Sequence, residues 1–177
     1  VKDKYSVDFN KIKGEHHNLV FCNFGDPKSL TKPYVELIDR SDLQKNMDEY
    51  LDDYNQQTTK PMSLVLFESA VEHVARISRV INQPYGNALL VGIGGSGRKS
   101  VNALAVHIAG MEIFTIEITK SYGMFDWRED IKAMMTKAGV NNIPTVFMID
   151  DSQLVKEAFL EDINGILNTG EVANLFN

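Results

Sequence analysis

The chain has 177 residues, 44% of them apolar and 24% charged, enough for one globular domain with its own core. A net charge of -6 and a pI of about 5.2 disfavour a nucleic-acid-binding surface. No apolar run is long enough to span a membrane, no signal peptide is visible, and the one cysteine, Cys22, cannot form an internal disulfide, which suits a reducing, cytoplasmic compartment.

Residues 1–17 are polar with alternating charges; His16 and His17 are adjacent and cannot share one face of a helix or strand, so they read as solvated loop residues rather than metal ligands. Leu19 to Phe24 is a candidate strand, and Gly25-Asp26-Pro27 turns the chain. Ser41-Asp-Leu-Gln44 has the form of a capping box. Behind it Leu43, Met47, Tyr50, Leu51 and Tyr54 form one helical stripe, with Asp48, Glu49, Asp52 and Asp53 as a solvated opposite face. The polar stretch from Asn55 ends at Pro61, a boundary that predicts an N-terminal extension over 1–60 and a core over 61–177.

Phe67, Ala70, Val71, Val74, Ile77 and Ile81 predict a long amphipathic helix, with Glu72 and Arg76 in favourable i,i+4 order and His73 on the wet side. Pro84-Tyr-Gly86 stops it. Ala88 to Val91 then reads as a short buried strand, followed by glycines at 92, 94, 95 and 97 and a helical period through Val101, Leu104, Ala105 and Ile108. Glu112 to Ile118 alternates and predicts a second strand. Asp126 reads as the cap of a helix carrying Trp127, Ile131, Met134 and Met135 and closed by Gly139. Trp127 and the methionines read as core. A third strand over 144–149 ends in Asp150-Asp151, and a last helix through Phe159, Ile163, Ile166 and Leu167 ends at Gly170. Strands alternating with helices over 87–168 predict an α/β layer fold with a parallel sheet.

Strand, glycine loop and helix together form a phosphate cradle, because backbone N–H groups and the helix N-terminus converge on an anion. Gly92-x-x-x-x-Gly97 begins a P-loop, and Gly92-x-Gly94-x-x-Gly97 is also the dinucleotide fingerprint. In the P-loop register Arg98 occupies the lysine position and Lys99 the hydroxyl position; a Lys99-Ser100 pair exists one residue late. The acids after the third strand favour the P-loop. In a Walker B strand the first carboxylate orients Mg²⁺ and its waters, and the next polarises the attacking water. Those would be Asp150 and Asp151, although an acidic pair after a strand is also a common N-cap or turn. The dinucleotide reading, and with it an oxidoreductase, retains Glu117 as a ribose-binding acid but gives Asp150-Asp151 no role.

Several longer strings carry a resemblance. Pro84 to Ser100 (Pro-Tyr-Gly-Asn-Ala-Leu-Leu-Val-Gly-Ile-Gly-Gly-Ser-Gly-Arg-Lys-Ser), Lys120-Ser-Tyr-Gly123, Trp127-Arg-Glu-Asp130, Phe159-Leu-Glu-Asp-Ile-Asn164 and Asn168 to Phe176 resemble dynein heavy chains, and within them the fourth AAA+ module of the axonemal branch. Phe21 to Arg79 resembles the same family more weakly.

The resemblance implies a microtubule motor that works through a ring of AAA+ modules, in the axoneme of a cilium or flagellum. It implies a P-loop NTPase fold, the AAA+ large subdomain, with its parallel sheet sandwiched by helices. By position, Gly92, Ile93, Gly94, Gly95, Ser96, Gly97, Arg98, Lys99 and Ser100 would bind ATP or ADP. Asp150 would hold Mg²⁺ through water, and Asp151 would replace the catalytic glutamate. Arg98 is bulkier than lysine, Lys99 removes a Mg²⁺-ligating hydroxyl, and Asp151 is one methylene short. These departures weaken hydrolysis more than binding, so the expected function is a regulatory or structural module with weak or no hydrolysis. An empty-looped module that only builds the ring is the alternative.

The implied partners are neighbouring AAA+ modules and, through other parts of the parent, the microtubule; neither nucleic acid nor membrane is expected. In the family's sheet order a sensor strand lies between the strands at 88–91 and 145–149, and this sequence stops before supplying it. Both ends read as cuts in a longer protein.

Overall fold

The computed structural model describes residues 20–36 and 40–176, and side chains from Leu43 within the first helix. The predictions for residues 1–17, Leu19 and the Ser41 capping box lie outside the described residues or side chains. The chain forms two compact units, one ending at Arg76 and the other beginning at Ile77.

In the first unit, Phe21–Cys22 (β1) pairs antiparallel with Val35–Glu36 (β2), in the register Phe21 to Glu36 and Cys22 to Val35. The second of these strands has no apolar signal of its own. Helix α1, Arg40–Gln57, buries Leu43, Met47, Tyr50 and Leu51 and leaves Asp48, Glu49, Asp52 and Asp53 exposed, as its period requires. Tyr50 stands edge-on to the buried Phe24. The polar connection after the helix is tied back by Asn55. Its Nδ2 donates to the Met62 carbonyl at 2.9 Å and its Oδ1 accepts the Met62 N–H at 2.8 Å, so one side chain imitates a ladder partner. Helix α2, Glu68–Ile81, begins after Phe67, which is exposed rather than part of the buried stripe. Glu72 and Arg76 pair at 3.2 Å, and His73 is exposed.

The second unit begins with the end of α2 and a turn that only glycine fits at position 86. A Cβ there would lie 1.8 Å from the Val80 carbonyl oxygen, which is backbone and cannot swing aside. Helix α3, Arg98–Ile108, buries Val101, Leu104, Ala105 and Ile108, and also Ala103 and Val106, so it is wrapped on more than one side. Gly110, at φ 68°, reverses the chain, donating to the His107 carbonyl at 2.9 Å.

Glu112–Phe114 (β3) pairs in parallel with Thr145–Phe147 (β4), in the register Glu112 to Thr145 and Phe114 to Phe147. Helix α4, Met124–Met135, lies between them in sequence, and Glu157–Thr169 (α5) follows. A core of Ile116, Tyr122, Trp127, Ile131, Met134 and Phe159 joins these elements. The second unit is thus α/β, with a small parallel sheet.

Three expectations are corrected. Residues 88–91 are not a buried strand: Leu89 and Val91 are 91% and 87% exposed, and among the described residues no strand pairs with them. An apolar run becomes a buried strand only when neighbours supply its ladder bonds and cover both faces. The helix containing Trp127 starts at Met124, so Asp126 lies inside the first turn and reaches back to accept the Gly123 N–H at 2.8 Å. That helix does not close at Gly139; a π turn, Thr136–Val140, carries the chain through it, and Asn142 adopts the positive φ of 53°.

Candidate functional site

The glycine loop passes directly into α3. Gly97 is the residue before the helix and is left-handed, with φ 75° and ψ 5°; Gly95 has φ 77°. These angles strain any residue with a Cβ and explain why glycine sits at these points. Gly97 provides no side-chain cap, although its carbonyl accepts the Val101 N–H at 2.9 Å. The helix N-terminus therefore presents first-turn N–H groups that no capping side chain satisfies. Ile93, Gly94 and Ser96 are exposed along the loop.

Arg98 folds back over the start of the loop. A Cβ on Gly92 would stand 2.3 Å from Arg98 Nη1, so the missing side chain makes room for the guanidinium. Arg98 Nη1 is buried and has no hydrogen-bond partner. A charged donor removed from water without an acceptor is costly, and an anion in the loop would relieve that cost.

Lys99 takes a different direction. Its ammonium pairs with the carboxylate of Asp150, across the gap between the first turn of α3 and the end of β4. Successive helix residues are rotated by about 100°. With Lys99 directed at Asp150, Ser100 does not share that direction. The Lys99 side chain is 73% exposed and that of Asp150 23% exposed, so the pair lies at the surface.

Asp150 is held from its own side as well. Its Oδ1 accepts the Ser152 N–H at 2.9 Å and also the Ser152 hydroxyl, while its backbone N–H donates to Gln153 Oε1 at 2.8 Å. Gln153 in turn donates to the Ile116 carbonyl. Lys99 first, then Ser152, pulls the Asp150 carboxyl below its ordinary value. Asp150 is thus also the N-cap of a single 3-10 turn, Asp151–Gln153. Asp151 is exposed in that turn.

The sequence-derived site residues therefore separate. Lys99 and Asp150 pair, Arg98 folds over Gly92, and Asp151 and Glu117 are exposed. Sequence reasoning treated Lys99 as a lost hydroxyl and missed it as the counter-ion of Asp150; it also missed Ser152 and Gln153. The Asp-x-Ser spacing of an Asx turn was the available signal for Ser152. The donor set does not fit a Mg²⁺ held in the usual P-loop manner. The hydroxyl position is an ammonium, and that ammonium already occupies the Asp150 carboxylate. Among the described residues no group of three or more His, Cys, Asp or Glu side chains could hold a metal.

The other long strings build core. Trp127 is fully buried, its Nε1–H donates to Asp162 Oδ2 at 2.9 Å, and Arg128 approaches the other carboxylate oxygen at 3.6 Å. The Tyr122 hydroxyl donates to Asp130, and burial followed by that bond raises the phenol pKa. A shallow groove of about 410 Å³ lies away from the loop, between Met124, Arg128, Lys132 and Leu175. No helix among the described residues is long and apolar enough to cross a membrane.

Residues 62–177 match the family model described as "P-loop containing dynein motor region D4". Over 175 residues, 97% of the chain, the sequence is 51% identical to the Dynein-1-beta heavy chain, flagellar inner arm I1 complex, of Chlamydomonas reinhardtii. It is 44% identical over 174 residues, 98% of the chain, to human Dynein axonemal heavy chain 1. It is 48% identical over 159 residues, 90% of the chain, to mouse Dynein axonemal heavy chain 3. The chain spans about 4% of the length of each of these relatives.

Proposed function

Because the chain belongs to the P-loop containing dynein motor region D4 family, we propose that it forms the nucleotide-binding core of the fourth AAA+ module of an axonemal dynein heavy chain. In this reading residues 92–100 bind ATP or ADP as a P-loop. The module regulates the motor or supports its ring, with weak or no hydrolysis of its own. Its neighbours are the adjoining AAA+ modules of the same heavy chain, and microtubule binding belongs to other parts of the parent. The place of action is the axoneme of a cilium or flagellum, in keeping with the names of the relatives.

Arg98 carries the nucleotide reading. A buried guanidinium nitrogen with no protein acceptor, folded into a glycine loop at an uncapped helix N-terminus, supports the reading because a phosphate oxygen there would satisfy it. A dinucleotide cofactor would call for a ribose-binding acid beside the same loop, and the acid that approaches its helix is Asp150, already engaged by Lys99.

Calorimetric titration of the chain with ADP and ATP tests the proposal. Binding is expected, and Arg98→Ala should weaken it by about 1–3 kcal/mol, the scale of a lost charge-assisted hydrogen bond. Absence of binding in both the chain and the complete heavy chain would leave the ring-building role alone.

A further inference from the structure

We propose that Lys99 takes the place of the divalent cation in this site, so that the loop binds its nucleotide without Mg²⁺. The inference rests on the nucleotide-binding reading and concerns the ion that accompanies the nucleotide.

In a P-loop site the cation is held between a hydroxyl at the first helical turn and an acid at the end of a neighbouring strand, and it neutralises the terminal phosphates. Here both protein positions are committed to each other. Lys99 stands where the hydroxyl would be, and its ammonium is bonded to Asp150. A lysine ammonium is a compact point charge with three donors, so one bound to a carboxylate still has donors for a phosphate oxygen. It sits on the first turn of α3 beside Arg98, whose buried Nη1 awaits an acceptor. Two consecutive cationic residues thus open the helix that follows the glycine loop, Arg98 folded over Gly92 and Lys99 bonded to Asp150.

Entry of Mg²⁺ is opposed in three ways. The ion would have to displace Lys99 from Asp150. The displaced ammonium, tethered to the same helical turn, would then repel the dication at short range. The Asp150 oxygen bonded to Ser152 would need to give up its donors or serve the metal with a reduced share of charge. Ser100 offers no remedy, because it does not share Lys99's direction on the helix.

Equilibrium titration of the 177-residue chain with ADP, once in EDTA and once in excess Mg²⁺, reads this directly. Tighter binding in EDTA is expected, because excess Mg²⁺ complexes ADP in solution and a site that excludes the ion must take the nucleotide away from it. Binding as tight or tighter in Mg²⁺ would overturn the inference and leave the nucleotide reading standing. No binding in either buffer would overturn both.

A second measurement uses Mn²⁺ as a paramagnetic probe. Wild type with ADP should leave Mn²⁺ mobile in solution, whereas Lys99→Ser, which restores a hydroxyl and releases Asp150, should immobilise the ion and make ADP binding tighter in its presence. Immobilised Mn²⁺ in the wild type would show that Lys99 yields to a metal. Lys99→Arg keeps the charge and should keep the wild-type preference for metal-free ADP, which separates replacement of the ion from a general effect of substitution at this position.

Discussion

Trp127 lies flat against Phe159, with ring centroids 4.3 Å apart and planes inclined by 7°. Both side chains are fully buried, and Tyr122 meets Phe159 edge-on at 6.0 Å. The stack joins α4 to α5, so the core of the second unit depends on a contact between two distant parts of the chain. Phe159→Ala removes one face of it and leaves a cavity under the indole. The expected loss is about 3–5 kcal/mol of stability, read by urea unfolding with the single tryptophan as the fluorescent probe. A loss below about 1 kcal/mol would mean that the surrounding side chains collapse into the space.

Asp162 supports the same tryptophan by a different force. Asp162→Ala leaves the indole N–H buried without an acceptor, at an expected cost of about 1–3 kcal/mol. Asp162→Asn keeps an oxygen for that donor and loses only the longer approach of Arg128. It should therefore retain most of the stability, and equal losses in the two variants would assign the effect to charge rather than to the indole bond.

The Lys99–Asp150 pair makes stability depend on pH. The Asp150 carboxyl is held below its ordinary value in the folded chain by Lys99 and then Ser152. The folded state consequently gains stability above the unfolded carboxyl pKa of 3.8, and loses that gain as pH falls through the depressed folded value. Lys99→Met should lower stability at neutral pH, and its curve should converge with wild type in acid, once Asp150 is protonated in both. The effect is small and salt-sensitive, because the Lys99 side chain is 73% exposed. Unfolding midpoints measured across pH at low and high salt check both statements.

Turnover should be absent. Lys99 holds Asp150, and Asp151 faces solvent in the 3-10 turn. Neither acid is placed to prepare a water for attack. Phosphate release from ATP by the chain should equal background with or without Mg²⁺, and Asp150→Ala should leave it there. Mg²⁺-dependent release that disappears in Asp150→Ala would refute this.

Much of the helical frame was legible because burial repeats with the helical period. The stripe from Leu43 to Tyr54, the acids opposite it, and the last helix ending at left-handed Gly170 all follow from local spacing and local backbone chemistry. What local spacing cannot carry is pairing across the fold. Val35–Glu36 became a strand because Phe21–Cys22 was there to receive it, and no pattern announced it. Residues 88–91 have the composition of a buried strand but no ladder partner among the described residues. At the site, the sequence marked Arg98, Lys99 and Asp150 singly. The ion pair between the latter two appears only when the first turn of α3 meets the end of β4.

The exposed run before the loop bears on affinity. The glycine loop is anchored on its C-terminal side by the hydrogen bonds of α3, but Leu89, Val91 and Ile93 on its N-terminal side lie open to solvent. Fixing a residue's backbone costs about 1–2 kcal/mol in conformational entropy. A ligand entering the loop must order whatever part of that N-terminal side is not already held. A strand laid against residues 88–91 would meet this cost in advance, and the same glycine loop would then bind more tightly with no new contact to the ligand. Under the nucleotide-binding proposal, affinity would depend on how residues 88–91 are held as much as on the loop's own residues.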